Sequence, residues 1–231
     1  MNKIRQFITT ELKGWKKTEI LWMAAATAVM LGLSLYWKDN LIGILSGLTG
    51  VWCVILTGKG KISAFIIGTI NVFLYAYIAY GAKYYGDVML NLLYYFPTDF
   101  IGIFMWKKHI QEDSAEVSKK RMTAKQSAVV YPLTAAGVVI YGLILKKMGG
   151  NLPFIDSTST VLSVVAQIMT LKRFAEQWIL YIVIDVVTVI MWIFAFFNGG
   201  ESVATLIMWI LYLLNAVFML IKWERDVKNE I

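Results

Sequence analysis

The chain has 231 residues, of which 58% are hydrophobic and only 16% charged, and its formal net charge is +7. Soluble domains are about 45–50% apolar and about 25% charged, so this composition excludes an ordinary soluble enzyme and a disordered tail. The single cysteine, Cys53, excludes an internal disulfide, and the single histidine, His109, excludes a histidine-rich metal site. The composition therefore indicates an integral membrane protein.

Eight stretches have the apolar composition and the length of about 20 residues that a membrane-spanning helix needs. In chain order they are residues 19–37, 41–57, 62–80, 84–106, 126–145, 155–171, 177–197 and 202–222. The first follows basic residues, as in a signal peptide, but it lacks a small-residue cleavage site and leads directly into a second span. The sequence thus predicts an all-α membrane protein with eight transmembrane helices and no room for a soluble domain.

The distribution of lysine and arginine predicts the orientation of these spans. Of the 22 basic residues, 18 fall in segments on the same side as the N-terminus, and only Lys38, Lys83, Lys146 and Lys147 fall on the other. Because cytoplasmic loops are enriched in basic residues, both termini are expected in the cytoplasm, with the spans in the inner (plasma) membrane. The same bias accounts for the net charge, so the lipid bilayer and not a nucleic acid is the expected partner.

The longest loop, residues 107–125, is charged and poor in apolar residues. This composition predicts a cytoplasmic surface linker. His109 lies in this loop and is expected to be a solvated side chain.

The two halves of the chain share a pattern that predicts an internal repeat. Residues 55–72 and 168–186 each contain a threonine, a turn with two charges and a helix with one polar residue among apolar ones. Parallel repeats of this kind occur in transporters. The predicted organisation is an N-terminal segment with an extra helix (1–40), a first three-helix unit (41–106), a loop and linking helix (107–154), a second three-helix unit (155–223) and a tail (224–231).

Two carboxylates lie in the middle of spans that contain no lysine or arginine to pair with them, Asp99 and Asp185. A charged side chain at the centre of a helix costs about 2.5–3.5 kcal/mol on insertion scales, so both are expected to face a water-filled cavity. Protonation, or a hydrogen bond to a neighbouring helix, is the alternative. In the repeat, Asn71 corresponds to Asp185, and Asp99 corresponds to Asn215.

Further polar and aromatic side chains complete the predicted substrate site. The amides Asn91 and Gln167 also lie within spans, although such amides equally join one helix to another. Trp52, Tyr75 and Trp192 lie deep in their spans and are expected to stack on a flat cationic ring, with helix packing as the alternative.

Other motifs in the sequence indicate no chemistry. Asp87 and Asp156 begin predicted helices, where an acid complements the helix dipole, and Pro97 predicts a bend just before Asp99. The sequence contains no HExxH, GxSxG or Walker motif. No enzyme activity, cofactor or metal site is therefore expected.

Two stretches resemble the two halves of the PnuC-type vitamin transporter family, whose best-known member carries nicotinamide riboside. They are GTINVFLYAYIAYGAKYYGDVMLNLLYYFPTDFIGIFMWKKH and DSTSTVLSVVAQIMTLKRFAEQWILYIVIDVVTVIMW, the second followed by YLLNAVFMLIKW. The resemblance covers residues 60–106 and 156–223. It implies two parallel three-helix units around a central linking helix, as in the SWEET sugar transporters, and assembly as a homotrimer.

The resemblance also implies facilitated diffusion of nicotinamide riboside, followed by trapping of the substrate by a cytoplasmic kinase. It assigns to the substrate site the residues Asn71, Asn91, Asp99, Gln167, Asp185 and Asn215. Nicotinamide riboside carriers commonly have asparagine at positions 99 and 185, so a carrier of thiamine or of a deoxynucleoside is an alternative. A proton-coupled carrier and a membrane receptor without transport activity are two further alternatives.

Overall fold

The computed structural model describes residues 3–82, 85–147, 149, 153–197 and 203–229, and these are almost entirely helical. Lys83, which the sequence assigns to the side opposite the N-terminus, lies outside these residues. The helices are α1 (Lys3–Leu12), α2 (Lys17–Tyr36), α3 (Leu41–Lys59), α4 (Ser63–Gly81), α5 (Tyr85–Met89), α6 (Phe96–Lys107), α7 (Ala124–Lys147), α8 (Pro153–Leu171), α9 (Gln177–Phe197) and α10 (Val203–Asn229).

Eight helical segments in the described part of the chain are long and apolar enough to cross a membrane, as predicted. They are α2, α3, α4, the combined α5–α6 segment, α7, α8, α9 and α10. The last of these continues to Asn229, so most of the predicted C-terminal tail is helical. Large apolar side chains are exposed along these helices, as expected of a surface that faces lipid.

A π-helical turn, Leu90–Tyr95, joins α5 to α6 immediately before Pro97. Proline has no amide hydrogen to donate to the preceding turn. The amide of Phe96 donates to the carbonyl of Asn91, five residues earlier, which is the π-helical pattern. The irregularity that Pro97 predicts is therefore present, in the helix that carries Asp99.

Helix α3 forms the middle of the bundle, because it packs against α2, α4 and α10. Helix α9 packs between α8 and α10, while α7 makes its main contact with α8. Most of the side chains of α7 are exposed, which assigns it to the periphery of this chain.

The loop between α6 and α7 is packed against the bundle, so its prediction as a surface linker was wrong. The side chain of Val117 is only 1% exposed, and its amide donates to the carbonyl of Gly60 over 2.9 Å. At Lys120 the same loop exchanges backbone hydrogen bonds with the turn between α8 and α9. Composition misled here because two of the loop's charged residues, Glu116 and Lys119, are buried and paired within the protein. His109, in contrast, is exposed, as predicted.

Three acids and three lysines at this end of the bundle form a charged cluster: Glu19, Lys59, Glu116, Lys119, Lys222 and Asp226. The ammonium of Lys59 lies 2.5 Å from a Glu19 oxygen and 2.6 Å from a Glu116 oxygen, and Lys119 pairs with Glu116 at 3.1 Å and with Asp226. The cluster joins α2, α3 and α10 to the loop.

The electrostatics of the loop residues follow from this pairing. Burial alone would raise the pKa of Glu116, but Lys119, Lys222 and Lys59 outweigh burial and hold that pKa below its ordinary 4.5. Burial alone would lower the pKa of Lys119, but Glu116 and Asp226 raise that pKa above 10.5. Both groups are therefore charged at neutral pH.

Candidate functional site

A cavity of about 160 Å³ lies inside the bundle, between α3, α4, the α5–α6 segment, α8, α9 and α10. Its wall includes three carboxylates, Asp87, Asp99 and Asp185, and, among the described residues, no lysine, arginine or histidine. We call it the acidic cavity. In their ionised form, carboxylates on this wall favour a bound cation over an anion.

Asp185 lies in the middle of α9 and is 3% exposed. Within the part of the chain that the structure describes, no hydrogen bond or ion pair to its carboxylate is found. Asp99, on α6, accepts one hydrogen bond, from the hydroxyl of Thr69 at 3.2 Å. Because a buried carboxylate requires compensation, these two groups leave binding capacity for a ligand.

Two amides on the cavity wall are held by neighbouring helices. Gln167 donates to the hydroxyl of Thr98 at 3.1 Å and accepts from that of Tyr181 at 3.3 Å. Asn71 donates to the carbonyl of Ser46 at 2.7 Å. The carbonyl oxygen of the Asn71 side chain has no partner among the described residues, and is available to a donor in the cavity.

Asn91 also lines the cavity, although its amide donates to the carbonyl of Asp87 within the same helical segment, at 2.8 Å. Six of the nine predicted substrate-binding residues thus meet at one cavity: Asn71, Tyr75, Asn91, Asp99, Gln167 and Asp185.

An aromatic wall faces these polar groups. The rings of Tyr75 and Trp209 lie 5.8 Å apart between centroids, and those of Trp209 and Tyr212 lie 5.0 Å apart. Gly50 on α3 makes room for Tyr212, since a β-carbon at Gly50 would stand 2.0 Å from the tyrosine oxygen. Tyr95, Trp178 and Tyr181 also line the cavity.

Asp87 is a cavity residue that the sequence assigned only to a helix N-terminus. It lies in the first turn of α5, and it also accepts a hydrogen bond from the hydroxyl of Tyr75 at 3.0 Å. The Tyr75 oxygen in turn accepts from the indole of Trp192 at 3.3 Å. One feature of the sequence could have indicated this contact. Asp87 follows Tyr75 by only twelve residues, so the end of one span and the start of the next bring the two side chains to the same level.

The other three predicted residues do not line the cavity. The indole of Trp52 donates to Thr27 on α2 at 2.9 Å, and the indole of Trp192 donates to the oxygen of the cavity residue Tyr75. Asn215 accepts from the indole of Trp22 at 3.1 Å and donates to the carbonyl of Val54 at 3.0 Å. Trp52 and Asn215 therefore hold α2, α3 and α10 together, which is the helix-packing alternative.

Aromatic side chains close the end of the cavity that faces the charged cluster. Phe65 and Trp178 form the floor, and beneath them Trp106 and Trp223 are fully buried. The indole of Trp106 donates to the carbonyl of Thr170, and that of Trp223 to the carbonyl of Gly58. Each bond joins two helices across the floor, with Val117 of the loop packed in the same cluster.

Six of the eight membrane-length helices in the described part of the chain surround a cavity that carries three carboxylates and is closed at one end, which is the organisation of a membrane carrier for a small solute. Residues 40–225 match the family described as nicotinamide mononucleotide transporter. The chain belongs to this family of membrane transporters, so the predicted family is confirmed, and the chain is a transporter and not an enzyme.

Individual relatives extend the comparison over nearly the whole chain. The chain is 37% identical over 221 residues to the nicotinamide riboside transporter PnuC of Neisseria mucosa, with 94% of this chain and 84% of that protein covered. It is 32% identical over 220 residues to the Haemophilus influenzae protein of the same name, with 94% of each covered.

A solved structure supports the same fold. The crystal structure of the vitamin B3 transporter PnuC superposes with a TM-score of 0.87, at 36% sequence identity, and covers 97% of this chain and 98% of that chain.

Proposed function

We propose that this chain carries nicotinamide riboside across the inner membrane, with the acidic cavity as the binding site. The observation that carries the proposal is the carboxylate of Asp185, buried at mid-span without a described partner, in a cavity with two more carboxylates. The pyridinium ring of nicotinamide riboside is a flat cation. It would compensate the carboxylates and stack on the aromatic wall.

The same electrostatics argue against nicotinamide mononucleotide, which the family description names. The mononucleotide differs by a phosphate, which would enter a cavity lined by carboxylates and, in the described residues, by no basic group. At a separation of roughly 6 Å and an effective dielectric constant of about 20, each pair of like charges costs about 2–3 kcal/mol. The relatives that are named for the riboside fit this cavity better.

Within the proposed site each group has a role. Asp99 and Asp185 face the pyridinium and the ribose hydroxyls, Tyr75 stacks with its aromatic neighbours, and Asn71 accepts a hydrogen bond from the ligand. Asn91 and Gln167 complete the polar wall. We assign Trp52, Trp192 and Asn215 to the layer behind the site, where they hold its walls.

The transport cycle we propose is facilitated diffusion by alternating access. The two three-helix units, parallel and separated by one linking helix as in SWEET transporters, would move against each other and open the aromatic floor. The end of the bundle that carries the charged cluster would face the cytoplasm, with both termini there. A cytoplasmic kinase would trap the substrate, because the phosphorylated product is repelled by the acidic cavity. A homotrimer is the assembly that the family resemblance implies.

A second candidate is a carrier of the same fold for another substrate. It is favoured by Asp99 and Asp185, which stand where nicotinamide riboside carriers commonly have asparagine. Thiamine is also a cation, and deoxynucleosides carry donors that a carboxylate accepts. Carboxylates that take up protons would make the carrier proton-coupled.

Uptake into proteoliposomes tests the proposal. We expect labelled nicotinamide riboside to equilibrate without exceeding the external concentration, and a pH gradient to leave the final level unchanged. Enclosing a riboside kinase with ATP should then cause accumulation. Preferential uptake of thiamine or a deoxynucleoside would establish the second candidate, and accumulation driven by the pH gradient would establish proton coupling. Transport of the mononucleotide at the riboside's rate would contradict the electrostatic argument.

A further inference from the structure

A second cavity, of about 370 Å³, lies beside the charged cluster, between α2, α3 and α10. We call it the interfacial pocket. Among the described residues the two cavities share no lining residue, so the interfacial pocket is a separate site. Its position at the N-terminal end of α2 and the C-terminal ends of α3 and α10 corresponds to the level of lipid headgroups, where spans end.

The lining of the interfacial pocket has the opposite charge to the acidic cavity. It includes Lys16, Lys59, Lys222 and Arg225 against one acid, Glu19. Lys59 and Lys222 pair with Glu19 and, behind the pocket, with Glu116. The pocket therefore has two positive charges in excess.

The excess charge belongs to two exposed side chains. The ammonium of Lys16 and the guanidinium of Arg225 form no salt bridge in the part of the chain that the structure describes, and both belong to the pocket wall. A bound anion would complement them. Arginine and lysine are the usual ligands of phosphate groups in proteins.

An apolar wall adjoins these cations. The rings of Trp22 and Phe218 meet edge to face at 4.9 Å, and the Trp22 indole is fixed by its hydrogen bond to Asn215. Phe218 is 46% exposed, and Ile20 near the start of α2 and Ile221 on α10 are also exposed. A ligand in this pocket would thus have a phosphate at one end and hydrocarbon at the other.

Helix α1 indicates where the membrane surface lies. Phe7, Ile8 and Leu12 are exposed and fall on one side of this short helix. The Glu11 carboxylate fixes α1 to the bundle by accepting from the amide of Ser63 at 3.2 Å. An amphipathic helix docked at the end of the spans is typical of one that lies in the headgroup region.

We propose that the interfacial pocket binds one anionic phospholipid. Its phosphate would lie between Lys16 and Arg225, and an acyl chain would follow Trp22 and Phe218. A zwitterionic lipid is disfavoured, because its own ammonium would enter a site with excess positive charge. Basic pockets between transmembrane helices are known recognition sites for anionic headgroups. Such a lipid would tie α2, the helix outside the two proposed three-helix units, to α10.

Lipid-dependent stability of the purified full chain tests this proposal. We compare the wild type with Lys16→Gln/Arg225→Gln and with a matched control, Lys17→Gln/Lys228→Gln, which removes the same charge from exposed positions outside the pocket, at the start of α2 and near the end of α10. Each protein in detergent is titrated with phosphatidylglycerol, with phosphatidylcholine and with inorganic phosphate. Thermal unfolding and native mass spectrometry are recorded, and riboside binding checks that each variant is folded.

The proposal predicts that phosphatidylglycerol raises the Tm of the wild type and of the control. For the pocket variant the concentration needed should rise at least tenfold, and one retained lipid per chain should be lost from its mass spectrum. Equal effects of phosphatidylcholine, or equal responses of the two double variants, would overturn it. So would stabilisation by inorganic phosphate alone, which indicates a small-anion site, or stabilisation that appears only together with a change in oligomeric state, which indicates a second copy as the occupant.

Discussion

Acidic side chains occur in two buried regions of this protein, and the two regions differ in how far the protein itself compensates their charges. In the charged cluster, Glu19 and Glu116 each lie within 3.1 Å of lysine ammonium groups. In the acidic cavity, Asp99 has one hydroxyl donor, and Asp185 has no partner in the described residues. Charges that are neutralised inside the protein hold helices together. Charges left without a partner leave binding capacity for a ligand.

The two regions should therefore respond to mutation in opposite ways. Neutralising an acid of the charged cluster should cost stability and leave the ligand preference unchanged. Neutralising an acid of the cavity should change the ligand preference and leave stability largely unchanged, because no internal ion pair is lost.

The largest expected effect on stability is that of Glu116→Gln. We expect the free energy of unfolding to fall by about 2–3 kcal/mol, as for the loss of a hydrogen bond to a charged group. This is less than the ~3–5 kcal/mol for an unpaired buried charge, because Lys59 retains Glu19 and Lys119 retains Asp226. Thermal unfolding measures the loss, with Glu112→Gln at an exposed position of the same loop as control. Equal Tm values for both variants would refute the structural role of the cluster.

An intermediate effect is expected for Gly50→Ala in the acidic cavity. The new methyl group would stand 2.0 Å from the Tyr212 oxygen and 2.8 Å from the Met208 sulfur, so the aromatic wall must move. We expect riboside affinity to fall about tenfold, or about 1.4 kcal/mol, by isothermal titration calorimetry.

Gly32→Ala is the control, since nothing lies within 4 Å of its β-carbon. It should leave affinity unchanged and stabilise α2 by up to about 1 kcal/mol. Undiminished binding by Gly50→Ala would exclude Tyr212 from the site.

The smallest expected effect is on the pH dependence of stability. The pKa of Glu116 is held below its ordinary 4.5 by neighbouring lysines that outweigh its burial. A lowered folded-state pKa stabilises the fold above the unfolded-state value, and this contribution is lost as pH falls through the folded-state pKa. The Tm difference between wild type and Glu116→Gln should thus shrink below pH 4.5. A difference that persists unchanged in acid would show that Glu116 acts other than through its charge.

The sequence predicted the spans and much of the cavity for a clear physical reason. An apolar run of membrane length has few alternatives to a membrane-spanning helix. An acid in the middle of such a span, such as Asp99 or Asp185, is costly anywhere but in a cavity that hydrates or pairs it. The sequence did not predict which way an amide or an indole points. Asn215 and Trp52 satisfy their polar groups against neighbouring helices, a choice that depends on where α2 packs.

The loop between α6 and α7 and the aromatic wall of the cavity are two further features that the sequence alone did not predict. Charge patterning does not reveal that Glu116 and Lys119 are paired with helices distant in sequence, so the loop appeared solvent-exposed. Tyr212 is apolar enough to face lipid, a helix or a cavity. The packing of Gly50 against the Tyr212 hydroxyl, which only the structure reveals, assigns Tyr212 to the cavity.

The most direct test of the central claim, that unpaired carboxylates select a cation, varies the charge of the ligand alone. Reduction of nicotinamide riboside to its dihydro form removes the positive charge and keeps nearly the same shape. We expect the wild type to bind the cationic form at least about tenfold more tightly, a difference of about 1.4 kcal/mol. The Asp99→Asn/Asp185→Asn variant should bind the two forms with nearly equal affinity. Equal affinities in the wild type, or a preference that survives in the variant, would contradict the account.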